Sequence, residues 1–185
     1  LVARVDPALC VSCGICAGSC APMGVGPPGR TGRDQLDAVR AFIDRRQPGP
    51  GDVVVVACDR GSGGIGAMET FLDAAVYPVT CAGSLHTSVV ELLVRSGAGG
   101  VLVVACPPRD CWNREGAVWL EQRMFHDREA ELRERVDRRR VRLLWAAARE
   151  REVVVRTLRE FRAAVREIAV SAEDDPAVDT ECELE

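Results

Sequence analysis

From residue 52 onward, the hydrophobic positions fall into two alternating patterns. Continuous apolar runs rich in β-branched residues are typical of strands buried on both faces of a sheet. Such runs predict strands over 53–57, 76–80, 101–105 and 141–146. Apolar residues at helical spacing predict helices over 65–75 and 87–95, and in one or two pieces between 115 and 138. A final helix has the clearest apolar stripe, formed by Val154, Leu158, Phe161, Val165 and Ile168.

This alternation of strands and helices predicts the fold class. Strands that alternate with helices become parallel neighbours joined by right-handed crossovers, with helices on both faces of the sheet. The predicted fold is therefore α/β, with a small doubly wound parallel sheet of about four strands, of the Rossmann or flavodoxin-like kind.

Four cysteines near the amino end follow a C-x2-C-x2-C-x3-C spacing. They are Cys10, Cys13, Cys16 and Cys20. Bacterial ferredoxins use this spacing to bind a [4Fe-4S] cluster through thiolates. Gly14 and Gly18 suit the tightly curled backbone of such a loop, because glycine adopts backbone angles closed to other residues. A zinc site and a disulfide knot are the alternatives, and the complete run favours the cluster.

The fourth cysteine of the run has two possible assignments. In two-cluster ferredoxins the corresponding cysteine ligates the other cluster, so Cys20 need not share a cluster with the other three. The sequence contains no second run, and it begins at Leu1 instead of a methionine. A partner run would lie upstream, lost either by processing or because this chain is one piece of a larger polypeptide. Both assignments of Cys20 stay open.

The patterns divide the chain into four segments. Residues 1–30 are predicted to form the ferredoxin-like segment, and residues 31–51 a helix over 34–46 followed by a Pro-Gly linker. Residues 52–170 form the α/β domain. Residues 171–185 are acidic and predicted to be disordered.

Composition excludes some classes of function. The net charge is −4, and the 24 basic residues, all arginines, are interleaved with acidic residues where they cluster between 128 and 142. This pattern favours a solvated helix over a nucleic-acid surface, so we expect no DNA or RNA partner. No apolar run is long enough to cross a bilayer and no signal peptide is visible. We therefore expect a cytoplasmic protein, either free or docked peripherally on a larger complex.

Four further cysteines fall at strand ends of the predicted sheet. They are Cys58, Cys81 and Cys106, each at the end of a predicted strand, and Cys111 in the loop after Cys106. The carboxyl ends of parallel strands meet at one edge of the sheet, where α/β folds bind their ligands. A [2Fe-2S] cluster, a second [4Fe-4S] cluster, a zinc site and buried free thiols all fit this arrangement. The ninth cysteine, Cys182, lies in the acidic tail.

A glycine-rich loop after Cys58 offers a competing interpretation. Gly61 to Gly66 satisfies G-x-G-x-x-G between a strand and a helix, the setting in which backbone amides bind a dinucleotide. The acidic residue that would bind the ribose is missing, because Cys81 occupies the end of the second strand. A tight glycine turn without a ligand is the alternative.

The remaining candidates are weak. His86 and His126 have no nucleophile in a recognisable motif, so we predict no catalytic residue, although His86 is close enough in sequence to Cys81 to lie near a cluster. The tryptophans are predicted to be core or interface residues, and Trp112 also to shield a cluster from water. They are Trp112, Trp119 and Trp145.

With these residues in view, the region from 52 to 169 resembles the iron-sulfur delta subunit of methyl-viologen-reducing hydrogenase. The matching pieces are the strand entering Cys58, the Tyr77-Pro78 strand leading to Cys81, the strand entering Cys106 with its Asp110-Cys111 loop, and the strand ending at Trp145 and Ala146. The chain departs from the family pattern after the first strand. A C-x2-C pair is usual there, but Gly61 occupies the position of the second cysteine, three residues after Cys58.

The resemblance implies a [2Fe-2S] cluster on the second set of cysteines and a relay of electrons. The donor would be hydrogenase-like, and the acceptor a flavin-bearing subunit like that of heterodisulfide reductase, or another membrane-bound or soluble redox complex. We therefore expect an electron-transfer subunit without substrate chemistry of its own. The alternatives are a nucleotide- or flavin-binding module using Gly61 to Gly66, and a metal-free structural adaptor that carries only the amino-terminal cluster.

Overall fold

The computed structural model describes residues 4–59, 72–113 and 115–173. The helices are α1 (Ile15–Gly18), α2 (Gly32–Arg46), α3 (Thr87–Arg95), α4 (Gly116–Phe125) and α5 (Arg151–Glu173). The strands are β1 (Val53–Cys58), β2 (Val76–Val79), β3 (Gly100–Ala105) and β4 (Val141–Trp145). Two short 3-10 helices are η1 (Ala82–Ser84) and η2 (Arg138–Arg140).

The four strands form one parallel sheet in the order β2-β1-β3-β4. The prediction of a parallel sheet of about four strands is therefore confirmed. β1 and β3 are its central strands, and every residue in both is buried. Their β-branched sequences suit this position, because no side chain of a central strand in a covered sheet faces water.

Helices cover both faces of the sheet, as predicted for a doubly wound fold. Val54 and Val56 of β1 pack on one face with residues of α2, α3 and α4, while Val53 and Val55 pack on the other with α5. Alternate residues of one strand thus enter different cores, since successive side chains point to opposite faces. None of the helices in the described residues combines the length and apolar character needed to cross a membrane.

The predicted helix over 34–46 is confirmed as α2, and its start is locally encoded. The Thr31 side chain accepts a hydrogen bond from the backbone N–H of Asp34, at 3.2 Å, and the Asp34 carboxylate accepts one from the backbone N–H of Thr31, at 2.8 Å. This capping box satisfies two amides that a helix leaves without partners. It begins α2 directly after the amino-terminal segment.

The charged region between 115 and 138 differs from its prediction. Only α4 is helical, and it ends at Phe125. Asp127 and Ala130 adopt left-handed angles, with φ of 51° and 59°, which an α-helix cannot accommodate. The chain after α4 instead buries Leu132 and Val136 in the core, so burial of two apolar side chains overrides the local helical pattern.

Three other sequence-based predictions fall wholly or largely outside the described residues. These are most of the helix over 65–75, the Gly61–Gly66 loop, and the acidic tail beyond residue 173. The boundaries proposed for the four segments stay predictions.

The core formed by α5 generates a stability prediction. Phe161 is 1% exposed and packs among residues of β1 and β3, so Phe161→Ala leaves a cavity. We expect it to lower the free energy of unfolding by about 3–5 kcal/mol, measured by urea denaturation. Val170→Ala, on the same helix but 59% exposed, is the control and should change it by less than about 0.5 kcal/mol. Equal losses for the two variants would contradict this packing.

Candidate functional site

The carboxyl ends of the two central strands form the candidate site. Cys58 is the last residue of β1, and Cys106 directly follows β3, which pairs with β1 in parallel register. The strand order turns between β1 and β3, because β2 lies on one side of the pair and β4 on the other. Open α/β sheets bind ligands outside the strand ends at such a switch point.

Two more cysteines join these at the same edge. We call the four of them the rim thiols: Cys58, Cys81, Cys106 and Cys111. Cys81 precedes η1 in an extended conformation, and Cys111 follows a turn after β3. All four are between 1% and 8% exposed. The structure therefore brings together the cysteines that the sequence placed at strand ends.

The rim thiols interact with one another. Hydrogen bonding to Cys58 is the largest cause of a raised pKa at both Cys81 and Cys106, followed by burial of each thiol. Cys106 also interacts with Cys111. The side chain of Asn113 and the backbone N–H of Gly83 act on Cys81 in the opposite direction, since they donate to its sulfur. The net effect holds Cys81 and Cys106 as neutral thiols.

Two glycines make room for this packing. A Cβ on Gly116 would lie 3.0 Å from the Cys81 Sγ and 3.7 Å from the Cys111 Sγ. A Cβ on Gly83 would lie 2.5 Å from the Cα of Gly116, closer than van der Waals contact permits. The start of α4 can therefore approach η1 and the rim thiols only because both positions lack a side chain.

The amino-terminal cysteines lie in a different environment. Cys10 and Cys16 are exposed, while Cys13 and Cys20 are partly buried. Left-handed angles at Ser12 (φ 52°) and Gly14 (φ 80°) curl the chain before α1. We call residues 10–20 the cysteine loop. Its curl agrees with the role proposed for Gly14, although a cluster-binding geometry is not shown.

The cysteine loop packs on the α/β domain through η1. Ala17 is fully buried, and a Cβ on Gly18 would lie 2.7 Å from the carbonyl oxygen of Gly83. Gln35 of α2 strengthens this junction: its side chain donates to the carbonyl of Ser84 and accepts from the backbone N–H of His86, each at 2.9 Å. The cysteine loop therefore packs against η1, which directly follows Cys81 of the rim thiols.

Two buried basic side chains lie at the same junction. Arg123 of α4 is fully buried, and this burial lowers its pKa to about 10. His86 caps α3 by accepting from the N–H of Ser88 at 3.2 Å, and burial lowers its pKa as well. The nearby Cys20 backbone opposes that shift, although Nε2 makes no hydrogen bond of normal geometry. His86 therefore lies close to the cysteine loop and caps α3.

The cysteine side chains decide whether a metal or cluster can bind here. Within the described residues, no group of three or more Cys, His, Asp or Glu side chains has an arrangement that holds a metal ion. The rim thiols interact directly with one another. Their chemistry still fits an iron-sulfur cluster, because thiolates are its ligands and N–H donors already face Cys81.

Some site residues were not found from the sequence. Arg123 and Gln35 belong to charged or amphipathic helices and carry no motif, and the close approach of Gly83 to Gly116 joins segments far apart in the chain. The tryptophans are predicted from the sequence to be core or interface residues. Trp112 and Trp145 are 74% and 41% exposed, so neither is a core residue, and the interface role stays a prediction.

Comparison with known families supports the resemblance seen in the sequence. The sequence model of the methyl-viologen-reducing hydrogenase delta subunit matches residues 53–169. The chain belongs to this family. The delta-subunit region begins with β1, ends within α5 and contains all of the rim thiols, whereas the cysteine loop lies outside it. A comparison with curated proteins found no match.

The close contact between η1 and α4 predicts that one added methyl group at Gly83 destabilises the fold. Gly83→Ala drives a Cβ into the backbone of Gly116, so we expect a loss of about 1–3 kcal/mol in the free energy of unfolding. In the metal-free protein, the rim thiols should also react faster with a disulfide reagent such as DTNB. Gly24→Ala, where a Cβ meets open space, should change neither measurement. Wild-type stability and thiol reactivity in Gly83→Ala would contradict the packing.

The raised thiol pKa values predict a pH dependence for the metal-free protein. Below the ordinary thiol value of 9.0 the folded and unfolded chains are both protonated at Cys81 and Cys106. Above it, the unfolded chain loses these protons while the folded chain retains them, so stability falls as the pH rises. We expect chemical denaturation to show this fall beginning near pH 9 and continuing at higher pH. A Cys81→Ser, Cys106→Ser double variant should show a smaller slope.

Proposed function

We propose that this delta-subunit family member is an iron-sulfur electron-transfer subunit of a hydrogenase- or heterodisulfide-reductase-type complex. Its donor would be a hydrogenase-like subunit and its acceptor a flavin-bearing subunit. The observation that carries the proposal is the gathering of the rim thiols at the switch point of the sheet, within the region that matches the family.

The rim thiols would hold a [2Fe-2S] cluster. Four sulfur ligands suffice for such a cluster, and they come from three strand ends and one loop of a rigid sheet. Binding requires loss of the thiol protons that packing now retains, and the positive charge of iron favours that loss. Cys81 is prepared for the thiolate state by the donors from Asn113 and Gly83. A bound cluster would supply one-electron redox chemistry.

The cysteine loop would hold the [4Fe-4S] cluster. The exposure of Cys10 and Cys16 suits a site that exchanges electrons with a partner at the surface, while the rim thiols are buried. Because α1 packs against η1, which follows Cys81, the two sites would lie in series within one molecule. The chain would relay electrons without an acid, base or nucleophile of its own.

A second candidate function is a structural adaptor in which only the cysteine loop binds iron. The direct hydrogen bonds among the rim thiols favour it, because buried cysteines also serve as packing residues. The electron-transfer subunit would bind iron at the rim thiols, whereas the structural adaptor would not. The nucleotide- or flavin-binding alternative depends on Gly61 to Gly66, outside the described residues.

Anaerobic purification of the full chain, separated from its partner subunits, followed by iron and sulfide analysis and electron paramagnetic resonance, tests the proposal. We expect about six iron atoms per chain, about four from the cysteine loop and about two from the rim. Cys13→Ser should remove mainly the first signal and Cys106→Ser mainly the second. Cys182→Ser, outside both sets, is the control and should remove neither.

The outcomes separate the candidates. About four iron atoms per chain, unchanged by Cys106→Ser, would favour the adaptor. Oxygen-free protein without iron would contradict both candidates.

A further inference from the structure

The most deeply buried charge in the described residues belongs to Arg123. Its side chain is fully buried on α4. The ion pairs of the described residues involve other arginines and do not include it. Taking a cation out of water is costly unless an opposite charge accompanies it. This interior positive charge therefore has no carboxylate partner among the described residues.

The hydrogen bonds of Arg123 go to neutral groups on two segments. One guanidinium nitrogen donates to the Ser19 hydroxyl of the cysteine loop, at 3.1 Å. The other donates to the carbonyl oxygens of Gly83 and Leu85, at 2.8 and 3.4 Å, on either side of the end of η1. Nε has no hydrogen-bond partner. These contacts orient the guanidinium but leave its charge uncompensated.

The segments that Arg123 joins are those that carry the two cysteine sets. Ser19 is the neighbour of Cys20, and Gly83 lies two positions after Cys81. A Cβ on Gly18 would lie 2.8 Å from the guanidinium, so the backbone of the cysteine loop touches it directly. Burial is the largest cause that lowers the pKa of Arg123, Arg128 lowers it further, and Cys81 raises it, so the Cys81 sulfur lies within electrostatic reach of the guanidinium.

We propose that Arg123 is the shared counter-charge of the two cysteine sites, placed between them to offset the negative charge that their metal-thiolate clusters carry. This inference rests on the proposed function. A buried cation acts strongly on nearby charge because little water screens it. It favours the reduced state of each cluster, since reduction adds one electron and hence one negative charge.

Removing the charge tests the proposal through reduction potentials. The anaerobically purified protein is titrated with dithionite, whose dissociated radical anion SO2•− gives one electron to each cluster and is itself oxidised to SO2, which water converts to sulfite. In Arg123→Gln we expect the equilibrium constant for reduction to fall about tenfold at both signals, about 59 mV for a one-electron step. Arg123→Lys keeps the charge and should stay near the wild-type potentials.

A surface arginine on another helix gives the control. Arg159 of α5 is exposed. Arg159→Gln removes the same charge from a site where water screens it. It should leave both potentials unchanged.

Each outcome decides the proposal. Equal potentials in Arg123→Gln and wild type, equal shifts in Arg123→Gln and Arg123→Lys, or a shift in one signal alone would overturn it while leaving the proposed function intact. If Arg123→Gln loses its iron, retention by Arg123→Lys supports a role for the charge, and equal loss overturns it. Wild-type protein without iron would overturn the proposed function and this inference together.

Discussion

The close backbone contact around η1 is the constraint on which the candidate site depends. Gly83 meets Gly116 of α4 on one side and Gly18 of the cysteine loop on the other, at separations that leave no room for a Cβ. Because interiors are packed to nearly solid density, this approach fixes three segments at once. It sets the position of Cys81, of the first turn of α4, and of the loop that carries Cys10 to Cys20.

The contacts around η1 connect two sets of cysteines, the rim thiols and the cysteine loop, which lie in different environments. The rim thiols are buried at the end of a rigid sheet and stabilise one another as neutral groups, whereas the cysteine loop is largely exposed and held by α1 and by a curled backbone. Burial raises the energy of a thiolate more than that of a thiol. A thiolate at the rim would therefore need a nearby positive charge in place of the water that solvates the exposed set, and the guanidinium of Arg123 is buried between the two sets.

The region that matches the delta-subunit family is the sheet domain. The contacts around η1 attach the preceding segment, with the cysteine loop and α2, to this domain. The matched region starts at β1, so the cysteine loop and α2 precede it. Gln35 of α2 binds both Ser84 and the N–H of His86, and Arg123 binds Ser19. These polar contacts and the glycine packing attach the loop to the family domain at the same end of the sheet as the rim thiols.

The sequence by itself determined the sheet, its parallel direction and the strand ends at which Cys58, Cys81 and Cys106 lie, because buried strands require continuous apolar runs that are visible in the chain. It also determined α2, through a cap whose residues are three positions apart. It failed for the region after α4, where burial of Leu132 and Val136 overrides a helical pattern. Only the tertiary structure revealed the junction at η1 and the burial of Arg123, since these depend on contacts between segments distant along the chain. An arginine among charged residues has the same local pattern whether its side chain faces water or the interior, and only the packing of η1 against α4 and the cysteine loop decides which.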